Sequence, residues 1–294
     1  MPSPTDSPSN TATVPTLPLT ATAWTADWLL AWLAAVGVTY RRPDVRLSWT
    51  DSPLPAAIFH GPKLEAIEDA LPSHDELANL AIARESPGLD EFPRKPTRSQ
   101  FAQRAGLARR TGDLSLGATV SSFRIDPKED LVHSPLDPSV PKGVTLHQRV
   151  VAARAAIPDG ESLVDSMLGR ASTASINGLG FDLRRLSPSS VPGDNLVIDP
   201  IAETMAFFGL LMFTQWGNRT RGWRPPSAFR AGAFRWPTWP MALDWAGIDA
   251  LLDRFIAGLP APVDRVFASV AYQPTATADT TRGFGSTPVE RSRV

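Results

Sequence analysis

The chain has 294 residues and a mass of 31.7 kDa, room for one large domain or two smaller ones. Hydrophobic residues make up 43% of it and charged residues 20%, a globular composition, and 29 basic against 30 acidic side chains leave a net charge of -1, so no global positive field draws it to nucleic acid or anionic lipid. With no cysteine, disulfides, thiolate zinc sites, iron–sulfur clusters and cysteine nucleophiles are excluded.

Residues 1–22 are rich in Pro, Ser and Thr, lack the basic and apolar regions of a signal peptide, and read as a disordered tail. The apolar run Trp24 to Val38 is shorter than the roughly 20 residues a membrane span needs, and reads as a buried helix. Trp28, Leu29, Trp32, Leu33 and Val36 recur at helical spacing, with Asp27 placed to cap the start and Gly37 to stop the end. With no export signal and no span, the expected location is the cytoplasm and no membrane partner is expected. Val45, Leu47 and Trp49 alternate with Arg46 and Ser48, the period of a half-buried strand.

Leu64 to Ala83 predicts two short helices divided at Pro72, the second opened by a capping box from Ser73 to Glu76. Seven prolines between Glu85 and Gly143 predict long loops, interrupted by one helix over Thr97 to Arg110. Val144 to Ile157 predicts a further helix, and the Ser/Thr/Gly-rich stretch Gly169 to Gly180 divides an N-terminal region, 23–170, from a C-terminal one, 171–272. Ile201 to Phe213 predicts an apolar helix with Gly209 near its end. Its Ala206-Phe207-Phe208-Gly209-Leu210 is similar to Ala34-Ala35-Val36-Gly37-Val38, the pattern of a degenerate helix–Gly–strand duplication or of two helices each capped by glycine. Asp249 to Ile256 predicts a last helix, and residues 273–294 a flexible tail. The class that follows is α+β, with helices packed on one or two short, mainly antiparallel sheets and disordered termini.

Catalytic signals are absent from the sequence. His60, His74, His133 and His147 fit no metal-ligand spacing, Gly178-Leu179-Gly180 lacks the third glycine of a dinucleotide fingerprint, and the acidic pairs Glu68-Asp69, Asp75-Glu76 and Glu129-Asp130 are adjacent, which splays them on a helix. The expectation is a protein that is not an enzyme and holds neither metal nor cofactor.

Charge is instead concentrated in two islands. Residues 91–125 carry seven basic groups, among them Arg94, Lys95, Arg98, Arg104, Arg109 and Arg110, against Glu91 and Asp113. Helical periodicity places Arg98 and Arg109 on one face, suited to a phosphate backbone or to a solvated face paired with acids. In the second island Asn218, Arg219, Arg221, Trp223, Arg224 and Arg230 interleave with further aromatics and no acid intervenes. Guanidinium groups match phosphate oxygens and guanine edges, and aromatics stack on unpaired bases. Phe234, Trp236 and Trp239 are expected in the core.

The order of these features resembles a known family. The segment Ala26-Asp27-Trp28-Leu29-Leu30-Ala31-Trp32-Leu33-Ala34-Ala35-Val36-Gly37, then Asn177-Gly178-Leu179-Gly180-Phe181-Asp182 with Arg184-Arg185, Asp199-Pro200-Ile201-Ala202-Glu203, Arg221-Gly222-Trp223-Arg224 and Phe234-Arg235-Trp236-Pro237, resembles the small, large-subunit-like (Csb-type) CRISPR-associated proteins of type I-U, or I-G, systems. The resemblance spans roughly Trp24 to Phe255. It implies a non-catalytic subunit of a Cascade-like surveillance complex, in the large subunit's place, acting in antiviral defence. The implied partners are other CRISPR effector subunits, crRNA, target double-stranded DNA and a recruited helicase-nuclease. The implied task is crRNA-guided DNA binding with recognition of the protospacer-adjacent motif (PAM), for which Asn218, Arg219 and Arg221 are the candidate readers and Trp223 a candidate wedge. The chain is short for a large subunit and not globally basic, so the alternative is a scaffold subunit without direct nucleic-acid contact.

Overall fold

The computed structural model describes residues 17–86, 88–125, 131–134, 136–137, 144–181, 197–214, 229–230, 233–272 and 283–284. Strand β1 (Leu19–Thr25), helix α1 (Leu29–Arg41), strand β2 (Arg46–Trp49) and strand β3 (Ala56–His60) form the first unit. Both β1 and β2 pair antiparallel with β3 in the order β1-β3-β2, so β1 and β2 are parallel and α1 is the crossover between them. β1 begins inside the segment expected to be a tail, because Leu19 and Ala21 alternate with Thr20 and Thr22 and bury one face. Trp24, expected in the helix, belongs to this strand.

The middle of the chain supplies short helices: α2 (Leu64–Glu68), α3 (His74–Ala78), α4 (Arg98–Thr111), α5 (Ser115–Thr119), α6 (Leu146–Ala155) and α7 (Leu163–Met167). Capping boxes at Ser73/Glu76, Thr97/Gln100 and Thr145/Gln148 open α3, α4 and α6 by satisfying otherwise unpaired amides. α5 and an antiparallel pair, β4 (Val120–Ile125) with β5 (Leu131–His133), stand where long loops were expected. β6 (Ala174–Ser175) pairs with β7 (Val197–Ile198), and helix α8 (Pro200–Leu210) follows, closing in a 3-10 turn over Leu211–Phe213. Asp199 caps α8, accepting from the amides of Ile201 at 2.9 Å and Ala202 at 3.0 Å, with Pro200 in the first turn, where a missing N–H costs nothing.

The C-terminal strands β8 (Phe229–Arg230), β9 (Ala233–Pro237), β10 (Val266–Tyr272) and β11 (Gly283–Phe284) form a second antiparallel sheet in the order β11-β10-β9-β8, with helix α9 (Trp245–Ile256) between β9 and β10. β11 lies within the stretch expected to be a flexible tail and pairs with β10 through Ala271 and Tyr272. The class is α+β, with small antiparallel sheets. No helix among the described residues is long and apolar enough to cross a membrane.

The core is organised by α1 against α8, two almost wholly buried helices. Gly37 does not stop α1, which runs on to Arg41, and Asp27 makes no cap: the N-cap residue is Trp28, without a side-chain cap bond. Gly37 is instead a point of close approach. A Cβ there would lie 2.1 Å from the Met205 carbonyl oxygen, and one on Gly209 would lie 2.0 Å from that of Leu33. As the number rises from 33 to 37 on α1 its partner falls from 209 to 205, so the helices run in opposite senses. Three buried indoles then tie the second sheet to the first unit: Trp32 Nε1 donates to Pro237 O at 2.9 Å, Trp236 Nε1 to Ala26 O at 2.6 Å and Trp239 Nε1 to Leu47 O at 2.8 Å. Buried side chains from Leu19 to Phe267 belong to one hydrophobic cluster, which spans the boundary expected at 169–180.

Candidate nucleic-acid interface

Helix α4 carries the first basic island. Thr97 and Gln100 fix its first turn, and Gly112, at φ 71°, ends it in the left-handed conformation. Asp113 then binds it to its surroundings: its carboxylate accepts from the amides of Ala81 at 2.5 Å and Ser115 at 2.7 Å. Ala105 and Ala108 face the core, while Arg98, Arg109, Arg110 and the preceding Lys95 are exposed. Arg98 and Arg109 are eleven residues apart, three turns plus a rotation of about 20°, and so stand on one outer face about 16 Å apart along the axis. Arg98 and Arg110 form no ion pair among the described residues.

Arg104 is not part of that face. It is 1% exposed, turned inward, and its guanidinium is spent on main chain: Nη1 donates to Ala83 O at 2.8 Å and Ala81 O at 3.4 Å, and Nη2 to Asp90 O at 2.8 Å and Arg84 O at 3.2 Å. Its head also lies over the face of Phe92, 5.5 Å from the ring centre. A planar cation with five donors is the side chain best able to satisfy several carbonyls at once. Arg104 is therefore the anchor of α4, not a phosphate ligand.

Arg94 is half-buried and faces the Asp137–Arg149 pair. That pair is buried and hydrogen-bonded, Arg149 Nη2 to Asp137 Oδ1, and Arg149 Nη1 reaches Leu179 O at 3.1 Å. From the opposite side the Leu179 amide donates to Glu203 Oε2 at 2.6 Å. The Gly178-Leu179 main chain is thus held between two buried charges, from α6 and α8. Sequence pattern alone assigns no role to Asp137, Arg149 or Glu203. The one visible signal was a glutamate inside the apolar run Ile201 to Leu210, at a position that is fully buried.

Two other polar groups are held by the core. His147 is buried at the start of α6, with Nε2 donating to Leu77 O at 2.8 Å, and burial holds its pKa below the usual histidine value. Ser166, which accepts from Trp24 Nε1 at 3.1 Å, donates to Asp199 at 2.5 Å, and burial pushes the Asp199 carboxyl up. These contacts serve packing and capping. Among the described residues no group of three or more His, Asp or Glu side chains is placed to hold a metal ion.

Of the second island, Asn218, Arg219, Arg221, Trp223 and Arg224 lie outside the described residues, and Arg230 is described only as the end of β8, paired with Ala233. Phe234, Trp236 and Trp239 are fully buried, as expected for core. Comparison with protein-family models, with curated proteins and with solved structures gives no match in any of the three. The chemistry available at α4 lies in its own geometry: Arg98 and Arg109, exposed on one face, carry guanidinium groups of the kind that hold phosphate oxygens.

Proposed function

We propose that this chain is a non-catalytic subunit of a crRNA-guided, DNA-targeting complex of the type I-U/I-G kind, in the place of the large subunit, and that the outer face of α4 holds nucleic-acid backbone. The observation that carries the reading is the division of labour on α4: Arg104 and Asp113 lock the helix down, while Lys95, Arg98, Arg109 and Arg110 remain on its outer side. Cations so placed displace counterions from phosphates, which gives sequence-independent, salt-sensitive binding. The motif resemblance supplies the assembly and its partners: crRNA, target duplex, effector subunits and a recruited helicase-nuclease. Reading of the PAM falls to Asn218, Arg219 and Arg221, where a bidentate arginine contact to guanine would discriminate by about 1–3 kcal/mol.

A scaffold reading draws on a different observation. Arg41 pairs with Glu76 at 2.7 Å, Arg42 with Asp44 and Asp69 at 2.9 Å, and Arg84 with Glu91 at 2.5 Å, so these arginines are matched within the chain. Pull-down of the tagged chain with its neighbouring gene products, followed by sequencing of bound RNA and by duplex binding at two salt concentrations, separates the readings. Co-purified crRNA with duplex binding that requires Arg98 and Arg109 supports the first. A complex that forms without any nucleic-acid contact to this chain supports the scaffold.

A further inference from the structure

The chain contains a single Asn–Gly dipeptide, Asn177–Gly178. Asn177 is exposed, whereas Gly178, Leu179 and Gly180 are buried. Leu179 is held on both sides, its N–H by Glu203 and its carbonyl by Arg149, and both charged side chains are almost wholly buried. The Glu203 carboxylate also lies directly against Gly178: a Cβ at that position would stand 2.1 Å from Oε1 and 2.8 Å from Oε2. A Cβ there would have to push the carboxylate aside.

Asn–Gly is the dipeptide most open to spontaneous deamidation, because a following residue without a Cβ lets its main-chain nitrogen reach the side-chain amide. In that reaction the Gly178 nitrogen attacks Asn177 Cγ, a C–N bond forms, the Cγ–Nδ2 bond breaks, and the main-chain proton leaves with the departing ammonia. Water then opens the succinimide at either carbonyl to give aspartate or isoaspartate. Ring closure requires the Gly178 nitrogen to give up its proton and swing toward the Asn177 side chain. A carboxylate packed against Gly178 opposes the first, and the two-sided hold on Leu179 opposes the second.

We propose that Asn177–Gly178 is a latent deamidation site, kept unreactive by the hold of Glu203 and Arg149 on Leu179, so that modification of Asn177 records release of residues 177–181 from α6 and α8. None of the residues proposed to contact nucleic acid takes part, so the clamp stands or falls independently of that role. Conversion to isoaspartate places an extra methylene in the main chain next to the clamped peptide and prevents its return, which makes the release irreversible.

The test follows Asn177 in the full chain by mass spectrometry of the tryptic peptide 171–184, whose one asparagine is Asn177. In mildly alkaline native buffer the conversion is expected to be about tenfold or more slower than in the same buffer with denaturing urea, since reaction requires local opening. Equal rates in the two conditions overturn the proposal. Glu203→Gln, checked by circular dichroism to be folded, is expected to deamidate faster than the parent chain in native buffer. If Glu203→Gln does not fold, Arg149→Lys is read in the same way, and a folded variant that reacts as slowly as the parent overturns the role of the clamp.

Discussion

Gly37 and Gly209 lie back to back where α1 crosses α8, so close that a Cβ on Gly37 would stand 3.0 Å from the Gly209 amide nitrogen. In an ordinary exposed helix interior, replacing glycine by alanine stabilises by about 1 kcal/mol, because alanine loses less main-chain entropy on folding. At this crossing the sign is expected to reverse. Gly37→Ala and Gly209→Ala each drive a methyl into a partner carbonyl and should destabilise by about 1–3 kcal/mol or more. Urea unfolding measures this directly, as a lower midpoint for each variant.

Gly178→Ala is expected to be destabilising for a different reason. Its methyl would displace the Glu203 carboxylate from the Leu179 amide, leaving a buried charge short of a donor, at a cost of about 1–3 kcal/mol. Pairing it with Glu203→Ala tests the cause. If the carboxylate is the obstacle, Gly178→Ala costs less in the Glu203→Ala background than in the parent chain, by the same unfolding measurement.

Arg104 and Arg98 sit on the same helix and should behave oppositely on substitution. Arg104→Met strands four carbonyls and is expected to cost about 3 kcal/mol or more, whereas Arg98→Met, at the exposed surface, should change stability by no more than about 0.5 kcal/mol. Equal midpoints for the two variants would contradict the anchoring role of Arg104.

Much of the local structure was legible because it rests on neighbours in sequence. The Ser73/Glu76 capping box, the helix after Thr97, the alternation of Val45, Leu47 and Trp49, and the buried Phe234, Trp236 and Trp239 all follow from short-range pattern. The misreadings come from partners far away in the chain. A glycine that stops a helix and one that lets two helices touch look alike in one sequence, and Gly37 meets Met205, which no periodicity announces. Arg104 and Arg98 are likewise indistinguishable until the carbonyls of 81–90 fold against one of them. β1 was hidden because its inward residues include the small Ala21, a weak apolar signal. At the site, helical periodicity gave the shared face of Arg98 and Arg109, but not which arginine the core would claim.

The response of stability to pH follows from His147. Burial lowers its pKa in the folded chain, with the nearby Arg104 acting in the same direction and the Leu77 carbonyl and Asp113 opposing. An unfolded histidine, at about 6.5, therefore takes up its proton first as pH falls. The unfolded state binds more protons in that window, so the contribution present above 6.5 is lost as pH falls through 6.5 toward the folded value. His60, lowered by burial and by Arg46, adds in the same sense. His147→Gln keeps a donor for Leu77 and cannot titrate, so its urea midpoint should fall less steeply than that of the parent chain below 6.5.

The proposed hold of α4 on nucleic-acid backbone is tested at Arg98 and Arg109. Fluorescence anisotropy with a labelled DNA duplex, across a salt series, compares the parent chain with Arg98→Glu/Arg109→Glu and with the charge-matched Arg46→Glu/Arg170→Glu, placed away from α4. Weaker binding in the α4 variant alone, with a salt slope shallower by about two, is the predicted result. Parent-like affinity and slope in the folded α4 variant would contradict it.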